Sequence, residues 1–83
     1  MIEDKVRKLI ENDLKENNLW IDTIKYEKEG NNNFLRIVVD SNTVIDIDRI
    51  VDITKIINPI LDSSDVISDS YILDISSKEK GEK

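Results

Sequence analysis

With no histidine or cysteine, the side chains in this sequence best suited to acid–base or metal chemistry are its carboxylates. Cysteine and histidine are both absent, which removes thiol nucleophiles, imidazole bases, disulfides and the usual zinc ligands. Paired carboxylates occur throughout, for instance Asp46 with Asp48 and Asp62 with Asp65. Paired carboxylates act as general acid and base when a pocket raises the pKa of one member and leaves the other ionised. Here the first pair falls at a helix start and the second on a loop tip, positions open to solvent rather than enclosed in a pocket. The run Asp62-Ser63-Ser64-Asp65 offers oxygen ligands to a divalent cation. It lacks the glycine, the ligand density and the closing glutamate of a calcium loop. Neither catalysis nor a bound metal or cofactor is expected, and solvation of a loop accounts for these acids.

The charge balance speaks instead about partners. Twelve basic against eighteen acidic residues leave −6 on 83 residues. Over residues 41–77, Arg49 and Lys55 stand against Asp46, Asp48, Asp52, Asp62, Asp65, Asp69 and Asp74, so two minus seven gives −5. An acidic half suits a basic partner; the competing explanation is that acid only keeps a small domain soluble. The basic stripe of a nucleic-acid binder is missing. So is a GxxG loop to clamp an RNA backbone, since the one glycine before the tail is Gly30. The aromatics Trp20, Tyr26, Phe34 and Tyr71 are not interleaved with a basic groove, as stacking platforms for single strands are.

Length and composition bound the class. A chain of 83 residues has room for one domain. At 39% apolar and 36% charged it suits a globular domain with a thin core. The longest apolar run is three residues, too short to span a membrane. Glu3 and Asp4 occupy the place of a basic signal-peptide start. A soluble, cytoplasmic protein is the expectation. Fifteen isoleucines beside no alanine indicate genomic bias, so isoleucine is read here as a generic aliphatic rather than as a strand former.

Hydrophobic periodicity then sets the elements. Ile2, Val6, Leu9, Ile10 and Leu14 share one face of a helix over about residues 2–17, with Asn18 as a left-handed stop. Asp13 and Asn17 fall within that apolar arc, which places them at its edge. Residues 19–28 read as a strand whose alternation breaks between Ile21 and Ile24, the mark of a bulge near Asp22-Thr23. Gly30-Asn31-Asn32-Asn33 is the strongest loop signal. A second strand over 34–40 alternates Leu35, Ile37 and Val39 against Phe34, Arg36, Val38 and Asp40. A second helix over about 46–58, with a further turn to Asp62, opens on Asp46 as its cap and on an Ile45–Ile50 staple. Pro59 predicts a kink or restart within it. Its apolar residues cover more than half the circumference, wider than one buried face needs. An acidic loop over 62–70 leads to a third strand over 70–77, with Tyr71, Leu73 and Ile75 inward.

The order α-β-β-α-β specifies an α+β two-layer sandwich. A hairpin joins the first two strands and a helical crossover brings the third parallel to the second. The mixed sheet therefore has order 1-2-3, with both helices on one face. The open face should carry Thr23, Lys25, Phe34, Arg36, Val38, Ile72 and Asp74. Phe34, Arg36, Val38 and Ile72 are candidate partner-binding residues there, and Asp62, Asp65 and Asp69 are the acidic candidates. Long side chains such as Lys25 and Arg36 folding over that face would cover it without any partner.

Four stretches in this order resemble a known family. They are Leu19-Trp20-Ile21-Asp22-Thr23-Ile24-Lys25-Tyr26; Phe34-Leu35-Arg36-Ile37-Val38-Val39-Asp40; Ile47-Asp48 opening a helix that ends Asn58-Pro59-Ile60-Leu61-Asp62; and Tyr71-Ile72-Leu73-Asp74-Ile75-Ser76-Ser77. No single one is specific, but the ordered set resembles the N-terminal domain of the bacterial ribosome maturation factor RimP over about residues 1–77. The resemblance implies a KH-type-II-like domain and a non-enzymatic, chaperone-like role in assembling the small (30S) ribosomal subunit. It implies that subunit as the partner, through a basic ribosomal protein and some contact with 16S rRNA, with no membrane and no small-molecule substrate. In the family a Pro-Gly follows the Ser-Ser pair and leads into a barrel domain. Here Lys78-Glu79 follows, so residues 78–83 are expected to be a flexible charged tail with the barrel absent. Either an N-terminal domain apart from its second domain or a short stand-alone relative fits that ending. The alternative function is a small acidic protein–protein interaction module, such as a toxin partner or regulator, unrelated to the ribosome.

Overall fold

The computed structural model describes residues 1–78. Helix α1 spans Ile2–Glu16 and buries Val6, Ile10 and Leu14, one residue per turn along a single stripe. The chain leaves it through Asn18, at φ 63, a left-handed conformation that asparagine tolerates. The two polar residues inside the apolar arc have a local purpose. Asn17 Nδ2 donates to the Asp13 carbonyl at 2.8 Å, satisfying an acceptor that the end of the helix leaves open.

Strand β1, Leu19–Glu29, and strand β2, Asn32–Ser41, form an antiparallel hairpin. Its loop is shorter than the asparagine run suggests, because Asn32 and Asn33 join the ladder opposite Glu29 and Lys28. Only Gly30 and Asn31 turn the chain. Gly30, at φ 61, supplies the positive φ that a two-residue hairpin wants at its first central position. The register shifts between Ile21 and Thr23, so the predicted bulge is present. It lets Leu19, Ile21 and Ile24 all face the core despite their spacing.

Helix α2 spans Ile47–Ser64. Asp46 caps it, accepting the Arg49 N–H at 2.9 Å. The predicted break at Pro59 does not occur as a restart: the helix runs through it for a further turn and a half. Pro59 and Lys55, whose carbonyl loses its helical partner there, are both exposed, so water can satisfy that group. The helix ends at Asp65, at φ 55 and ψ 32, whose N–H reaches Leu61 O. Asp62, Ser63 and Ser64 are therefore helical, where a loop was expected. Strand β3, Ile72–Ser77, pairs parallel to β2, giving the sheet order β1-β2-β3.

The core lies between the sheet and the two helices. Leu35, Ile37 and Val39 of the central strand are wholly buried, against Val6, Ile10 and Leu14 from α1 and Ile53, Ile57 and Leu61 from α2. Each such side chain contributes roughly 1.5–3 kcal/mol by leaving water. Arg49 donates to the Asn17 carbonyl, tying the start of α2 to the end of α1. At the other end of α1, Glu3 Oε2 accepts the Tyr26 N–H at 3.2 Å and occupies a main-chain donor on the edge strand. Of the expected tail, Lys78 donates its N–H to Val39 O at 2.8 Å and its Nζ to Asp22 at 3.2 Å; residues 79–83 lie outside the described residues. No described helix is long and apolar enough to cross a membrane.

Candidate functional site

Strand alternation sets the outer face of the sheet as expected. Three cross-strand rows run over it: Thr23–Val38–Ser76, Lys25–Arg36–Asp74 and Glu27–Phe34–Ile72. Phe34, Arg36 and Val38 are half-buried and Ile72 is 46% exposed. Trp20, opposite Asp40, extends the same face to the far end of the hairpin and is 45% exposed.

Arg36 organises the middle of this face. Its guanidinium lies 4.7 Å from the centre of the Phe34 ring. It also holds Glu29 through two hydrogen bonds of 2.9 and 3.2 Å, Glu27 at 3.1 Å, and Asp74 at 3.6 Å. The hydrogen bonds to Arg36, and then its charge, hold the Glu29 carboxyl below its ordinary value of 4.5. The same bonds push the Arg36 pKa further up. Arg36 is thus engaged on four sides, with its flat cation screening an aromatic ring from water. The covering of the sheet by long side chains is real for Phe34. Ile72 at the edge keeps its exposed aliphatic surface.

The acidic candidates are divided by the fold. Asp62, from the last turn of α2, and Asp69 line one groove together with Tyr71, between the helix end and β3. Burial raises the Tyr71 pKa, and the nearby Asp62 and Tyr26 raise it further. Asp65 belongs to a different hollow, beside Lys5, Lys8 and Leu9 of α1. The linear triple of acids is therefore a pair, with a third acid among lysines. Asn33 Nδ2 donates to Ser70 O at 3.1 Å and pins the loop that carries Asp69.

The wide apolar arc of α2 also resolves. Ile53, Ile57 and Leu61 are core, whereas Ile47 is 79% and Val51 44% exposed, close in sequence to Val44 at 80%. An aliphatic edge rimmed by Asp46, Asp48 and Asp52 thus faces water. The described residues contain no group of three or more acids that could hold a metal ion. What the molecule presents is an acidic groove, a charge-laced sheet face and an aliphatic helix edge. The family model described as the RimP N-terminal domain matches residues 9–78, nearly the whole chain.

Proposed function

The chain belongs to the RimP N-terminal domain family, whose role is ribosome maturation, and from that membership we propose that it assists assembly of the small (30S) subunit in the cytoplasm without chemistry of its own. Family membership is the observation that carries this reading. The surfaces support the manner of it. The partner is a basic ribosomal protein, drawn to the groove of Asp62 and Asp69 by charge complementarity. Phe34, Arg36, Val38 and Ile72 form a second contact, in which Ile72 offers the accessible apolar surface and Arg36 a fixed network of charge. Contact with 16S rRNA is secondary, because an acidic chain gains little from phosphate.

The experiment is reconstitution of small subunits from their RNA and proteins with and without the chain. A faster yield of mature subunits is expected. An unchanged yield, with the chain soluble and folded, would leave the alternative of an acidic interaction module outside the ribosome.

A further inference from the structure

A cleft of about 580 Å³ opens where the end of α1, the start of β1 and the turn after β2 meet. Its volume lies in the range of small-ligand sites, about 300–1,000 Å³. Its lining is net basic although the whole chain is acidic. Arg7 and Lys15 stand on one wall, neither forming an ion pair among the described residues. Trp20, the only tryptophan in the chain, also lines the cleft, with nearly half its surface exposed. Asn12, Asn18 and Asn42 bring three side-chain amides that make no hydrogen bond among the described residues. Glu11 is the single acid in the lining, so two cations against one carboxylate leave it +1 in a chain of −6.

Each group suits one part of a nucleotide. An exposed indole stacks on a base, and an uncommitted cation meets a phosphate. Amides pair with the donor and acceptor edge of a base, and a carboxylate accepts from ribose hydroxyls. We propose that this cleft binds a nucleotide, with the base on Trp20 and a phosphate at Lys15 or Arg7, which stand about two helical turns apart on α1. The source is either a free mononucleotide or single-stranded RNA. A second hollow shares Asn18, Leu19 and Asn42 with the cleft and continues past Thr43 to Arg49, which leaves a longer strand room to run on. The site is apart from the groove of Asp62 and Asp69, and it stands or falls without reference to the ribosome.

Trp20 is its own reporter. The whole chain is titrated with AMP and, separately, with a short single-stranded oligoadenylate, exciting at the red edge of indole absorption where bases are transparent. Saturable quenching is expected. Tighter quenching by the oligomer assigns the site to RNA, and equal quenching per base assigns it to the mononucleotide. Arg7→Ala with Lys15→Ala, both at exposed positions, should weaken binding at least about tenfold with an unchanged circular dichroism spectrum. Trp20→Ala, followed by anisotropy of a labelled oligomer or by calorimetry with AMP, should weaken it about tenfold. No saturable quenching by either ligand, or an affinity indifferent to these substitutions, would overturn the proposal.

Discussion

The guanidinium of Arg36 lies 4.7 Å from the centre of the Phe34 ring while also holding Glu27, Glu29 and Asp74. One cation therefore bridges three carboxylates and shields an aromatic side chain on a sheet face with no helix above it. Arg36→Ala should lower the thermal midpoint, because three acids are then left facing one another. Added salt should recover part of the loss by screening that repulsion. A midpoint that falls equally at all salt concentrations would mean that lost packing, not charge, is what Arg36 supplies.

The same cluster sets an acid-side dependence. The Glu29 pKa is depressed in the folded state by Arg36. Its contribution is present above the ordinary carboxylate value of 4.5 and is lost as pH falls through the lower folded value. Arg36→Ala removes the depression, so the variant should lose less further stability than the parent on acidification below about pH 4.5. Parallel stability curves for the two proteins below that pH would contradict the assignment.

Cap and core should differ in weight. Asp46→Ala removes the bond to the Arg49 N–H and should cost about 1 kcal/mol. Ile37→Ala empties a wholly buried site in the central strand and should cost about 2–5 kcal/mol. Urea melts read both, and a larger loss for the cap would contradict the position of the core.

Much of this fold is legible in the residues. Val6, Ile10 and Leu14 are one turn apart and leave a helical stripe no alternative. Leu35, Ile37 and Val39 alternate without interruption. The broken alternation from Ile21 to Ile24 reports a bulge because only an extra residue keeps both inside. Pro59 does not restart the helix because its cost depends on where the orphaned Lys55 carbonyl points, and exposure is a tertiary property. The asparagine run misleads because loop propensity competes with ladder pairing, and Glu29 and Lys28 were available to pair. The Arg36 cluster is less visible, since its partners lie seven, nine and thirty-eight positions away. A two-residue turn at Gly30-Asn31 would have placed Arg36 opposite Lys25 and diagonal to Glu27. The separation of Asp65 from Asp62 and Asp69 has no sequence signal, because it follows from where α2 stops.

That separation sharpens a prediction about association. Asp62→Asn with Asp69→Asn should slow binding to small subunits, since the pair shares one groove. Asp65→Asn should change the rate little, because Lys5 and Lys8 line its hollow. Asparagine also accepts the left-handed conformation there, so the helix end is kept. A stopped-flow series finding Asp65→Asn as slow as the double variant would remove the groove from the account.

The claim that this chain docks on the small subunit is tested most directly by co-sedimentation with purified small and large subunits at low and high salt. Selective pelleting with the small subunit is predicted. It should weaken as salt screens the acidic groove over roughly 10 Å at 0.1 M, and it should weaken in Ile72→Ser, at the exposed edge of the sheet face, with an unchanged thermal midpoint. Pelleting with neither subunit at low salt, or equally with both, would contradict it.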